Sequence, residues 1–267
     1  MLSIMKIRKN LRLILPLIIL FLLYISGFLP LPAKSHPAVI AHRGASAHMA
    51  ENTLPAIARA VQCGADSIEL DIRQSRDHIP VVFHDADIRR LTENTGKVSE
   101  LSYQKLMKLT VKEGAFPASV CSLEQALCLC DGTPGLCIHL DLKVSGIEEK
   151  VVSLMQKHDS GLSYEISSSD PALLQRIKQL SPQTKTFLIL ADLEDVTTYI
   201  TAAPSHIDGI SVKSFWLSRP LISLAKKRGH SVYGWTINDL SGFLRMQRLG
   251  VDAVITDSPG EIRFYQQ

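Results

Sequence analysis

The chain has 267 residues, 46% of them hydrophobic and 21% charged, enough to bury one large core. Its formal charge of +3 comes from the first 34 residues, which hold five Lys/Arg and no acid; the remainder carries 24 basic against 26 acidic residues. That balance gives no support to a nucleic-acid partner. Cys128-Leu-Cys130 lacks the Cys-x-x-Cys spacing of a zinc or redox centre, so the five cysteines read as small buried apolar residues, with one disulfide compatible with an oxidising compartment.

At the N-terminus Lys6, Arg8, Lys9 and Arg12 precede an uncharged, Leu/Ile-rich run over residues 13–33. As a helix it rises roughly 30 Å, enough to cross a bilayer core. It exceeds the apolar region of a secretory signal, and Leu31-Pro32-Ala33 is a poor cleavage site. The expectation is therefore a cytoplasmic basic tail and a transmembrane signal anchor over residues 1–34. A single domain over residues 35–267 then lies on the extracytoplasmic side, with secretion after cleavage as the alternative.

From residue 38 apolar runs alternate with amphipathic stretches. Strands are predicted at 39–42, 66–72, 136–142, 163–167, 185–190, 208–212, 231–236 and 253–256. Helices are predicted at 54–62, 123–130, 146–158, 171–180, 217–228 and 240–249. Eight strands separated mostly by helices predict a (β/α)₈ TIM-type barrel. A ninth run at 80–83 follows too closely for a crossover helix and reads as a hairpin arm outside the barrel. Residues 89–120 lack this alternation and form an inserted subdomain, either a substrate-selecting lid or a packing unit.

The chemistry gathers between Val39 and Asp85. Ala41-His42-Arg43-Gly44 ends the first strand with an imidazole and a fixed cation, and His84 ends its own apolar run in the same way. Glu69 and Asp71, two apart on a strand, point to one side. Paired carboxylates repel unless a cation lies between them, and oxygen ligands suit a divalent metal. Further on, His139, Asp141 and Lys143 share one face of a strand, a costly pattern unless it serves a site. Trp235, at the carboxyl end of another, either lines a pocket or packs the barrel end.

These blocks resemble the glycerophosphodiester phosphodiesterase family: His42-Arg43-Gly44, Glu51-Asn52-Thr53, Gly64-Ala65-Asp66, Glu69-Leu70-Asp71 and His84-Asp85 occur in the family's order and at its gaps. Tyr233-Gly234-Trp235-Thr236-Ile237-Asn238 and residues 250–259 resemble its last two strand-end motifs. One departure is Ser75-Arg76-Asp77-His78, where the family has a Thr-x-Asp-Gly turn. The resemblance implies hydrolysis of glycerophosphodiesters to an alcohol and glycerol 3-phosphate. It makes His42 and His84 the acid–base pair, with the substrate's own hydroxyl attacking first.

It also implies one Ca²⁺ or Mg²⁺ on Glu69, Asp71 and Asp141, the last being one methylene shorter than the family's usual Glu. Arg43 and Lys143 would face the phosphate, with Glu51 and Trp235 as supporting or pocket residues. His139 has no counterpart and reads as structural, and Asp257 reads as a loop support. The expected partners are a small-molecule or lysolipid phosphodiester, and a membrane through the N-terminal helix. Two alternatives are a lysophospholipase D and a membrane-tethered phosphate-binding barrel without turnover.

Overall fold

The computed structural model describes residues 18, 21–23, 26, 36–112, 118–159 and 161–266. The chain begins with β1 (Ala38–Ala41), α1 (Leu54–Gln62), β2 (Ser67–Gln74) and β3 (Pro80–Val82). The insertion carries α2 (Tyr103–Leu106) and the two-residue strands β4 (Thr110–Val111) and β5 (Ala118–Ser119). Regular alternation follows: α3 (Leu123–Cys130), β6 (Cys137–Leu142), α4 (Glu148–Lys157), β7 (Ser163–Ser168), α5 (Pro171–Leu180) and β8 (Lys185–Leu190). It continues through α6 (Leu193–Ala202), β9 (Gly209–Lys213), α7 (Arg219–Lys227), β10 (Ser231–Trp235), α8 (Leu240–Leu249), β11 (Ala253–Thr256) and α9 (Pro259–Tyr265).

Eight parallel strands close on themselves in the order β1, β2, β6, β7, β8, β9, β10, β11, with β11 returning to β1 through Val39↔Val254 and Ile40↔Ile255. This is the predicted (β/α)₈ barrel. β3 lies antiparallel on the end of β2, outside the ring, as a hairpin arm. Strand alternation sorts the side chains. Val39, Leu70, Leu140, Leu188, Ile210, Val232 and Val254 face the helices in the main core. Ile40, Phe187, Tyr233, Ala253 and Ile255 fill the barrel interior.

The outer layer holds most of the large buried aliphatics, each worth roughly 1.5–3 kcal/mol. Inner positions near the strands' carboxyl ends are therefore free to be polar. Lower in the barrel, a Cβ at Gly209 would stand 2.3 Å from the Phe187 ring, so β9 yields its space there to that ring. Phe187 stacks on Tyr233 with centroids 4.3 Å apart and closes the floor beneath the polar end.

Besides the one-turn α2 of the insertion, two helices of the barrel layer escaped the sequence reading. α6 is rich in β-branched residues, chiefly Thr, which lower helix propensity, and is started by a capping box between Asp192 and Asp195. α9 is short and opens on Pro259. The insertion has its own core, in which Ile88, Leu91, Val98, Leu106 and Val111 pack on Val81 and Phe83 of the hairpin arm.

The Ser75–His78 turn forms without the family's glycine. His78 takes φ 61 in that place, Ser75 Oγ donates to Asp77 at 2.7 Å, and the Ser75 N–H donates to the Ile79 carbonyl at 3.0 Å. All five cysteines are free thiols, Cys121 and Cys130 buried and Cys128 exposed. The transmembrane helix expected over residues 13–33 falls largely outside the described residues. Among the described ones no helix is long and apolar enough to cross a membrane.

Candidate active site

The carboxyl ends of β2 and β6 bring three acids together. Register pairs Asp71 with Asp141 and Glu69 with His139, so all four project into the barrel at neighbouring heights. One oxygen from each of Glu69, Asp71 and Asp141 lies within 4.8 Å of the others, and all three residues are buried. Burial, reinforced by the negative charge of Asp71, pushes the Glu69 carboxyl up to about 7. Burial also favours protonation of Asp71, but the charges of Lys143 and Arg43 overcome it and hold that group at about 2. Burial raises Asp141 against the pull of Lys143.

Asp141 Oδ1 is buried without a hydrogen-bond partner. Leaving a buried charged acceptor so costs roughly 1–3 kcal/mol or more, which a bound cation would offset. Three hard oxygen donors and this orphaned atom fit a divalent ion such as Ca²⁺ or Mg²⁺. The aspartate at 141 is long enough to join the cluster despite its missing methylene.

Each candidate imidazole is held by a carboxylate at the same nitrogen. His42, just past β1, sits with Nδ1 2.6 Å from Asp257 Oδ1. Asp257 also accepts from Ser46 Oγ at 3.0 Å and from Asn238 Nδ2 at 2.6 Å. Burial works against protonation of His42, yet the Asp257 hydrogen bond and the charge of Glu69 outweigh it and raise its pKa. His84 Nδ1 lies 2.7 Å from Asp85, and Arg73 on β2 donates to the His84 carbonyl at 2.7 Å. With Nδ1 committed to a carboxylate, Nε2 is in each case the nitrogen left for proton transfer.

The cations are fixed with equal care. Arg43 takes φ 54, which turns its N–H onto Glu69 Oε2 at 2.8 Å while its guanidinium reaches Glu51 at 2.8 Å. Its Nε lies 3.2 Å from Asp71 Oδ2, outside hydrogen-bond geometry. The next residue, Gly44, packs so tightly on α1 that a Cβ there would stand 2.6 Å from the Ala56 carbonyl carbon. Lys143 lies between Asp71, at 2.9 Å, and Asp141. Asn52, buried and at φ 59, donates to Asp71 at 2.8 Å.

His42, Arg43, Glu69, Asp71, His84, Asp141, Lys143 and Trp235 all line one cavity of about 90 Å³ at the barrel mouth. Glu51 does not line it and acts from behind Arg43. Trp235 stands at the end of β10, half-buried, on the wall facing β2 and β6. His139 forms part of the floor, its Nδ1 3.3 Å from Glu165, which in turn accepts from the Tyr233 hydroxyl at 3.0 Å.

Two residues have more to do than their sequence suggests. Asp257 holds the ring of His42 across 215 positions of chain. Arg90, from the insertion, donates to Glu51 at 2.7 Å and to Asp85 at 2.5 Å, and so braces the acids that hold Arg43 and His84. The insertion is thus a packing unit with its own core that also supports the site. In the sequence the only signal for Arg90 is the spacing of Arg90, Thr92 and Gly96 at the start of the insertion, which resembles an R-x-T-x-x-x-G pattern.

A barrel end of this kind, with two fixed cations and two anchored imidazoles around a carboxylate cluster, is suited to an anionic substrate. The sequence narrows this further: residues 42–261 match the Glycerophosphoryl diester phosphodiesterase family, and the chain belongs to it. It is 30% identical over 230 residues to a glycerophosphodiester phosphodiesterase of Caldanaerobacter subterraneus, covering 83% of this chain and 94% of the relative. A rat (Rattus norvegicus) lysophospholipase D is 27% identical over 274 residues, covering 84% of each. Among solved structures, an Oleispira antarctica phosphodiesterase in complex with the product sn-glycerol-3-phosphate superposes with a TM-score of 0.75 at 27% identity, covering 86% of this chain and 96% of that one.

Proposed function

We propose that this chain hydrolyses glycerophosphodiesters to an alcohol and glycerol 3-phosphate by acid–base catalysis with His42 and His84. The observation that carries the reading is a single cavity lined by two imidazoles, each anchored at Nδ1, together with the carboxylate cluster and two fixed cations. Arg43 and Lys143 attract and orient the phosphodiester, and their fixed charge offsets the negative charge that grows on its oxygens. A Ca²⁺ or Mg²⁺ ion held by Glu69, Asp71 and Asp141 would supply further charge neutralisation at the phosphoryl oxygens.

In the first step His42, held at Nδ1 by Asp257, gives its Nε2 proton to the leaving alcohol while His84 accepts the proton of the substrate's attacking hydroxyl. In the second step the roles reverse: His42, now neutral, accepts the proton of the attacking water, and His84 returns its proton to the substrate's own hydroxyl oxygen as the cyclic phosphate opens. Glu51, Arg90, Asp85 and Asp257 touch no reacting atom and act as positioning residues. Trp235 offers a flat apolar wall for the glycerol or the alcohol.

The apolar run of residues 13–33 and the basic residues before it support a single-pass anchor with the barrel on the extracytoplasmic side. That tether also favours lysophospholipids as a second substrate class through the same chemistry. The test is an assay of the purified full chain against glycerophosphocholine, with chelator and with Ca²⁺ or Mg²⁺ restored. Glycerol 3-phosphate and choline are expected, with loss of turnover on chelation and in Asp141→Asn, His42→Ala and His84→Ala. Turnover that survives chelation or either histidine change would refute the assignment.

A further inference from the structure

Three of the strands whose ends line the cavity run on into turns and helix starts that carry large apolar side chains into solvent. Ile189 on β8, Ser211 on β9 and Trp235 on β10 line the cavity. A few residues beyond each stand Leu193, Phe215 and Leu240, exposed by 57%, 76% and 45%. The strands are parallel, so all three loops leave the barrel at its mouth. Phe215 meets Trp216 edge-on at 4.9 Å, and Trp216 Nε1 donates to the Ala191 carbonyl at 3.2 Å, which ties the first two loops together. Single exposed apolar residues are ordinary, but three on adjoining loops around one mouth mark an interaction surface.

A second observation identifies the occupant. Arg245 on α8 donates to the Ser214 and Leu217 carbonyls at 2.9 and 2.7 Å, and its Nε donates to the Ser26 carbonyl at 3.0 Å. One guanidinium thus holds the N-terminal segment against the loop that bears Phe215. Just before Ser26, Phe21 and Leu22 are 60% and 51% exposed. Ser26, within the longest apolar run of the sequence, is therefore held beside the loop that bears Phe215, on the side of the apolar rim. An apolar tether and an apolar rim beside a cavity built for phosphodiesters match a lipid surface that presents phosphodiester headgroups.

Resting on the activity proposed above, we propose that Leu193, Phe215 and Leu240 seat the barrel mouth on a lipid surface and receive the acyl chain of a lysophospholipid. The headgroup diester then enters the cavity directly from the interface.

The test compares the full chain with its Leu193→Ser/Phe215→Ser/Leu240→Ser variant on soluble glycerophosphocholine and on palmitoyl-lysophosphatidylcholine in phosphatidylcholine vesicles. The variant is expected to lose roughly tenfold or more on the vesicle substrate, since three apolar contacts are removed, while its rate on glycerophosphocholine stays unchanged. Vesicles of brominated lipid are expected to quench the tryptophan fluorescence of the parent chain more than that of the variant, through Trp216. Equal rates on vesicles, or equal losses on both substrates, would overturn the proposal. A parent chain that cleaves glycerophosphocholine but no vesicle lysolipid overturns the rim while leaving the proposed activity intact, and one that cleaves neither overturns the activity itself. A dimer that becomes monomeric in the variant with unchanged quenching assigns the rim to a second copy of the chain instead.

Discussion

Asp257 offers the sharpest test of the site because it touches His42 and lies outside the carboxylate cluster. Its carboxyl is held at about 2 against an ordinary 3.8: burial opposes this, and the hydrogen bonds from His42, Asn238 and Ser46 prevail. A fall of about 1.8 at about 1.4 kcal/mol per pH unit is roughly 2.5 kcal/mol. The side chain is 30% exposed and shares its bonds among three donors, so the portion that belongs to His42 is about 1–2 kcal/mol. Asp257→Asn should therefore lower kcat/KM on glycerophosphocholine by roughly 5–30-fold.

The pH dependence of the same variant carries a sign. If His42 is the acid, activity falls as pH rises through its raised pKa, and without the carboxylate that limb moves to lower pH. Linked stability runs likewise. The Asp257 contribution is present above its unfolded value and lost as pH falls towards 2, while the His42 contribution is full below 6.5 and lost as pH rises through its folded value. A pH–rate profile, with bound metal measured alongside, decides the matter. An unshifted basic limb with an intact fold and full metal content would refute the role given to His42.

Arg90→Ala should leave bound metal unchanged and reduce kcat/KM by roughly tenfold, because Glu51 and Asp85 lose a shared charge-assisted partner worth about 1.5–3 kcal/mol, partly screened by solvent. Steady-state kinetics beside a metal assay would check this, and an unchanged rate would return the insertion to a purely packing role. His78→Gly should stabilise the chain: relief of a left-handed residue is worth about 1–2 kcal/mol, and glycine gives back about 0.5–1. A rise in Tm of a few degrees is expected in thermal unfolding, with catalytic rates unchanged.

The insertion shows how supporting and catalytic parts divide. Its core packs on Val81 and Phe83, one residue from His84, so burial of a few aliphatics fixes the backbone that aims an imidazole. The strained φ of Arg43 and Asn52 follows the same logic, since each puts an N–H donor onto a buried carboxylate of the cluster.

Strand alternation and motif order determined much by themselves: which faces of β2 and β6 turn inward, that Glu69 and Asp71 share one side of their strand, and that His139, Asp141 and Lys143 share one side of theirs. Those properties are local, because a period of two sets the face of every residue on a strand before any partner is met. The clasp of Asp257 on His42, the bracing of Glu51 by Arg90 and the meeting of the N-terminal segment with the Phe215 loop were decided only in three dimensions. Each joins residues far apart in the chain, and closure of β11 onto β1, with packing of the insertion on the hairpin arm, is what sets their distances. Helix α6 lies between these cases, since its threonines disfavour the helix locally and its capping box and burial of Val196 and Tyr199 against the barrel prevail.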